Sequence, residues 1–193
     1  MTWRIEPLPL HGPIFDGAIA VYAAAFAAAP YFDTDRGEEV SRRLSEVEWS
    51  RPGYEGFVAH GSGGEVVGVA YGYHGSPGQW WHDAVAGKID RSTRHEWLRN
   101  SCELVELAVA PSLQRSGLGR ALVERFLLER KEATCVLSTR ADSHADAFYR
   151  RLGFETLAEV KFAPHGAPFF IMGKRLGTEA EATRSRWPFN RRR

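Results

Sequence analysis

The sequence predicts a mixed α/β (α+β) domain built on a central sheet, and three observations carry that prediction. At its centre a strand, a glycine turn, a helix and a second strand follow in order: CELVELAV (102–109), QRSGLG (114–119), an amphipathic stretch over 118–130 and ATCVLSTR (133–140). A strand, helix and strand in succession form a crossover unit. Two apolar runs, GFVAH (56–60) and EVVGVAYGYHG (65–75), are joined by GSGG, which signals a hairpin. Apolar residues make up 44% of the 193, enough for one domain with a real core.

In chain order, TWRIEPL (2–8) alternates and then meets prolines, so it reads as a short strand. The alanine-rich stretch 16–29 reads as a helix with Asp16 as its N-cap, and 38–49 as a second helix. Residues 76–101 exceed an ordinary strand-to-strand connection and read as a partly helical insertion. Pro111 stops the strand 102–109. Within 118–130, Leu118, Ala121, Leu122, Phe126 and Leu127 share one side, with Arg120, Glu124 and Arg125 toward the other. Asp142 or Ser143 caps a helix through HADAFYRRL, which ends at Gly153. FETLAEVKFA (154–163) and PFFIMGKRL (168–176) are the last two strands. No repeat and no linker divides the chain, so 1–177 reads as one domain and 178–193 as a basic C-terminal tail.

Several function classes are disfavoured by the composition. Twenty-five basic and 24 acidic side chains leave a net charge of +1, which gives no general attraction to nucleic acid or anionic lipid. The five arginines of RSRWPFNRRR (184–193) read as a solvated tail, since no second basic cluster accompanies them. The longest apolar run, AIAVYAAAFAAAP (18–30), is too short to span a membrane, and the N-terminus has no secretory pattern. No zinc-ligand spacing occurs. Cys102 and Cys135 fall in apolar strands and read as core thiols of a cytoplasmic protein.

The junction at QRSGLG has the makings of an anion site. The first amides of a helix lack intrahelical acceptors, and the helix dipole places partial positive charge there. Gly117 and Gly119 let the backbone approach a bulky phosphate. A P-loop would need Lys and Ser or Thr where Arg120 and Ala121 stand, and a dinucleotide fingerprint would need a third glycine at Leu122.

The run Gln-Arg-Ser-Gly-Leu-Gly-Arg-Ala instead resembles the pyrophosphate loop of the GNAT N-acetyltransferase superfamily, and AFYRRLGF (147–154) resembles the family's other recurrent stretch. The resemblance covers roughly residues 3–176. It implies a mostly antiparallel sheet of six to seven strands, flanked by helices and splayed at an acetyl-CoA site. It implies acetyl-CoA contacts at Gln114, Arg115, Ser116, Gly117, Leu118, Gly119 and Arg120, at the bulged strand residues Leu107, Ala108 and Val109, and at Asp142, Ala145 and Phe148. The family places an oxyanion donor at the backbone near Val109 and a thiolate-protonating tyrosine at Tyr149; a packing role for Tyr149 is the alternative. Asp142 stands where the family often has Asn, and an ionised aspartate cannot donate an amide hydrogen bond.

Attack of an amine on a thioester requires loss of a proton, so a base is sought. Glu103 matches a glutamate used by some family members, and Glu106 is the second candidate. Strict alternation puts the two on opposite faces of the strand. For the acceptor, Asp33, Asp35, Glu38 and Glu39 would attract a cationic amine or simply line a solvated loop and helix start. Phe32, Asp33, Trp80, Trp81 and His82 are the acceptor-site candidates, with Asp83 adjoining; the tryptophans form either a substrate wall or the anchor of the insertion. The expected activity is acetyl transfer from acetyl-CoA to a primary amine of a small molecule by direct transfer. An acyl-CoA-binding regulatory module and a protein N-terminal or lysine acetyltransferase remain alternatives, and a homodimer is left open.

Overall fold

The computed structural model describes residues 3–143 and 145–177; the arginine-rich tail expected over 178–193 lies outside the described residues. Seven strands form one sheet: β1 Arg4–Pro7, β2 Glu55–His60, β3 Val66–His74, β4 Ser101–Val109, β5 Thr134–Arg140, β6 Glu155–Lys161 and β7 Pro168–Arg175. Their order is β1-β2-β3-β4-β5-β7-β6. Neighbours run antiparallel except β4 and β5. Those two are joined through a helix, and such a crossover returns the chain in the same direction. The mixed α/β class, with a mostly antiparallel sheet, is the one the sequence predicts.

Six α-helices flank the sheet: α1 Pro13–Ala27, α2 Arg36–Glu46, α3 Trp80–Ala86, α4 Arg91–Trp97, α5 Leu118–Leu127 and α6 Ala145–Arg151. On one face α5 buries Leu118, Leu122, Val123 and Phe126 against Cys102 and Leu104 of β4 and Cys135 and Leu137 of β5. Phe126 is fully buried, and its transfer from water contributes about 2 kcal/mol. Cys102 and Cys135 are register partners, both buried and both free thiols. On the other face α1 and α2 pack through Phe15, Tyr22, Val40 and Leu44 against Val58, Val69 and Tyr71. The insertion supplies α3 and α4, whose Trp81, Val85 and Trp97 pack on Val136, Val160 and Ile171. Val136 is the register partner of Glu103 and lies on the face opposite Cys135 and Leu137. Both helix pairs therefore cover the same face, with a gap between them over β4 and β5.

Local chemistry moved several boundaries. Helix α1 begins at Pro13 after Gly12, so Asp16 is not its cap but an acid in its first turn; proline suits a first helical position, and an acid there complements the dipole. Helix α2 starts at Arg36 and ends at Glu46, because Val47 leaves helical geometry, and Glu48–Ser50 forms a separate 3₁₀ turn. Helix α5 stops at Leu127 rather than Arg130, and Leu128 is exposed. Val123 belongs to its buried side, whereas Ala121 is half-buried. Before α6, the Ser143 hydroxyl accepts from the amide of Ala145 at 3.3 Å, while Asp142 is bound by Arg140 at 2.6 and 2.9 Å.

The register of β4 carries one irregularity. Glu106 pairs with Tyr71 and Leu104 with Gly72, so Val105 is an extra residue on β4. A side chain at Gly72 would collide with the Glu103 carbonyl oxygen and the Phe126 ring, so glycine permits the close approach at this bulge. The bulge brings Glu103 and Glu106, partners of Tyr73 and Tyr71, onto the same face. The opposite-face expectation is corrected by that one inserted residue.

Candidate active site

Strands β4 and β5 diverge. Their pairing ends at Glu103 and Val136, although β4 continues to Val109 and β5 to Arg140. Beyond that point the facing edges of both strands are open to a guest chain, as an unpaired sheet edge is. The turn after β4 leads to the N-terminus of α5, where Gly117 at φ 95° holds a left-handed conformation suited to glycine. Arg115 also has positive φ, at 63°. Among the described residues, the amides of Gly119 and Arg120 have no backbone acceptor. The Ser116 hydroxyl donates to the Leu113 carbonyl at 2.6 Å, and Leu118 is buried beneath the loop. Gln114 and Arg115 are exposed. A Cβ on Gly119 would lie 3.5 Å from the Phe148 ring and 3.6 Å from Val109, so the loop, α6 and the end of β4 converge there. Leu107 and Val109 lean on the α5 side, and Ala108 on the α1 side.

A cleft of about 470 Å³ opens on the other face, in the gap between the helix pairs. Arg36, Glu39 and Arg43 of α2, Glu48 and Arg51 beyond it, and Tyr73 of β3 form one wall. Trp80, Trp81, Phe162 and Phe169 form the other, and Glu103, Leu104, Val105 and Ser138 lie where the strands part. A shallower depression of about 340 Å³ near His74, Arg130 and Glu132 is separate; Arg130 there is already spanned by Glu55 at 3.3 Å and Glu132 at 3.8 Å.

The two sequence candidates for a base are in different states. Glu106 accepts from the Tyr22 hydroxyl at 2.8 Å and from Arg43 at 2.6 Å, with Arg36 at 3.9 Å. Glu103 is buried, and its Oε2 has no hydrogen-bond partner. Burial, reinforced by Glu48 and opposed by Arg51, pushes its carboxyl up to about 8. The sequence reading missed the groups around it. Glu48 is buried, pairs with Arg43 at 3.0 Å, and accepts from Tyr71 at 2.7 Å. Arg51 donates to the Tyr73 hydroxyl at 2.5 Å.

The acceptor-site candidates separate. Trp80 and Trp81 line the cleft; Trp80 is exposed and leans on Phe162 at 5.5 Å, and Trp81 donates to the Ser138 hydroxyl at 3.0 Å. His82 is buried, contacts Asp83 at 3.1 Å, and is not among the lining residues. A helix turns about 100° per residue, so three consecutive side chains cannot face one cleft. Phe32 is exposed and outside the lining, and Asp33 faces Arg36 at 3.9 Å instead. Of the acidic loop and helix start, Glu39 reaches the cleft wall.

Tyr149 lies on α6 with its ring edge-on to Phe148 and Phe154, at 5.0 and 5.6 Å. Burial, with Tyr31 and Glu106 nearby, raises its hydroxyl above the ordinary tyrosine range, so it keeps its proton at neutral pH.

The fold, with a splayed β4–β5 pair above a glycine turn, is that of an acetyltransferase. Residues 52–156, just over half of the chain, match the family described as an Acetyltransferase (GNAT) domain, and the chain belongs to that family. It is also similar to a GCN5-like protein acetyltransferase of Mycobacterium tuberculosis, 38% identical over 125 residues that cover 60% of this chain and 61% of that protein. An aminoglycoside 6'-N-acetyltransferase complexed with coenzyme A shares the fold, with a TM-score of 0.62 at 16% identity over 91% of this chain and 98% of that one. So does the ribosomal-protein-S18-alanine N-acetyltransferase of Escherichia coli, with a TM-score of 0.58 at 21% identity over 99% of both chains. No helix among the described residues is long and apolar enough to cross a membrane.

Proposed function

We propose that this chain is an acetyl-CoA-dependent N-acetyltransferase that passes the acetyl group directly to a primary amine of a small molecule held in the cleft. The observation that carries the reading is Glu103, a buried carboxyl with an unpartnered oxygen, set in the cleft where β4 and β5 part.

The residues fit the cofactor. The free amides of Gly119 and Arg120, and the left-handed turn at Gly117, suit a pyrophosphate. The open edge of β4 through Leu107, Ala108 and Val109 suits the amide-bearing arm, with Phe148 and Ala145 on the neighbouring helix. When bound, acetyl-CoA supplies the acetyl thioester. Glu103 then takes the proton that the amine loses. A carboxyl near 8 is a stronger base than an ordinary one, and its value is close to working pH. Tyr149 holds a proton at its hydroxyl for the departing sulfur. Glu106, already held by Arg43 and Tyr22, fixes α1 and α2 to the sheet.

A cleft of about 470 Å³ with an aromatic wall on one side favours a compact acceptor over a protein segment. Similarity to a GCN5-like protein acetyltransferase of Mycobacterium tuberculosis favours a second reading, a protein lysine or N-terminal amine. Thiol release from acetyl-CoA across small amines, amino acids and peptides separates the two. Turnover with small amines supports the first; turnover confined to peptides replaces it with the second. Tight acetyl-CoA binding without turnover would point to a non-catalytic acyl-CoA-binding module.

A further inference from the structure

The charged wall of the cleft is unevenly satisfied. Arg43 reaches Glu39 at 3.4 Å, Glu48 at 3.0 Å and Glu106 at 2.6 Å. Arg36 lies 3.9 Å from both Asp33 and Glu106. Arg51 lines the same wall, yet among the described residues it forms no ion pair with a carboxylate. The Tyr73 hydroxyl and ring hold it instead, at 2.5 Å and with the guanidinium 4.5 Å from the ring centroid. Tyr73, which holds Arg51, is the register partner of Glu103, and the unpaired guanidinium and the unpartnered carboxyl both line the cleft, near enough that Arg51 favours the ionised carboxyl. The far wall is aromatic: Trp80 lies tilted against Phe162, and Phe162 stands edge-on to Phe169 at 5.3 Å.

We infer that the acceptor is an α-amino acid with a flat apolar side chain, whose carboxylate is bound by Arg51, whose amine faces Glu103, and whose side chain lies on Trp80 and Phe162. In an α-amino acid one carbon separates amine from carboxylate, so a single small acceptor can present its amine to Glu103 and its carboxylate to Arg51 in the one cleft. A guanidinium fixed in this way offers a carboxylate a preorganised, charge-assisted partner. The same unpaired cation opposes acceptors with several ammonium groups, which disfavours polyamines and aminoglycosides. The inference rests on the reading of the chain as an amine acetyltransferase.

The test compares L-phenylalanine and L-tryptophan with phenethylamine and tryptamine, which lack the carboxylate, by thiol release in the native protein, Arg51→Gln and Arg51→Lys. Calorimetric titration of acetyl-CoA, and of each amine into the CoA-bound protein, runs alongside. The native protein should prefer each amino acid over its decarboxylated partner by at least roughly tenfold in kcat/KM. Arg51→Gln should lose roughly 10- to 100-fold on the amino acids, mainly through KM, with a far smaller loss on the amines. Arg51→Lys should recover part of that preference. Equal use of amines and amino acids by the native protein, or an equal loss on both in Arg51→Gln, would overturn the inference. So would acetyl-CoA binding with neither binding nor turnover of any amino acid, which would leave the acetyltransferase reading intact. Failure to bind acetyl-CoA would remove that reading itself.

Discussion

Glu103 and Glu106 stand on the same face of β4, three residues apart, in opposite states: Glu106 is clamped by Arg43 at 2.6 Å, and Glu103 has an oxygen with no partner. The Val105 bulge creates this arrangement. A buried carboxyl left without a partner is costly unless it stays protonated or serves the chemistry.

Replacing Glu103 with Gln should lower kcat by roughly 100-fold or more, the usual worth of a positioned base. Acetyl-CoA affinity should stay within about twofold, because Glu103 lies outside the glycine loop. Steady-state kinetics with acetyl-CoA varied at saturating acceptor checks both.

The same residue makes stability depend on pH. Its folded value, about 8, is above that of the unfolded chain, so between the ordinary carboxylate range and pH 8 the folded state retains a proton that the unfolded state has released. Stability therefore falls as pH rises through that window and levels off above it. Glu103→Gln cannot lose that proton. The melting temperature of the variant minus that of the native protein should increase from pH 5 to pH 9; a constant difference would contradict the burial argument.

Tyr149→Phe keeps the ring that packs on Phe148 and Phe154 and removes the hydroxyl. Turnover should fall by at least roughly tenfold, with far less effect on cofactor affinity. Unaltered turnover would assign Tyr149 to packing.

Arg43→Met removes the cation shared by Glu39, Glu48 and Glu106. Glu48 and Glu106 are both buried, so the variant should be destabilised by about 2–4 kcal/mol in denaturant unfolding. A change below about 0.5 kcal/mol, the scale of exposed pairs, would show that water reaches this network freely.

Gly119→Val should weaken acetyl-CoA binding in calorimetry. A Cβ alone meets ordinary van der Waals contacts there, but a branched side chain intrudes where the loop, Phe148 and Val109 converge. Native affinity in the variant would count against the loop assignment.

The sequence revealed what local pattern encodes. The turn at Gly117 and Gly119, the β4–α5–β5 crossover and the GSGG hairpin each rest on a few adjacent residues, and each appears in place. The family resemblance implies a bulge on β4 at Leu107–Val109, whereas strict alternation along CELVELAV gives no sign of its actual place at Val105. Its trace was on β3, where Gly72 interrupts a strand pattern. The sequence extends the second helix through Glu48, but the turn after Val47 carries that residue into the interior. The Arg43–Glu48–Glu106 network joins residues up to 63 positions apart, which only the tertiary fold brings together. The sequence leaves the tryptophans of the insertion as wall or anchor; both line the cleft and Trp81 also packs on the sheet, whereas the facing of His82 depends on helix phase.

The pH dependence of thiol release, measured for the native protein and Glu103→Gln with one acceptor from pH 6 to pH 9.5, decides whether Glu103 is the base. The native rate should rise with pH and bend near 8, over and above the titration of the acceptor amine, and the variant profile should show the amine's titration alone. Profiles of the same shape in both proteins would contradict it and remove Glu103 from the chemistry.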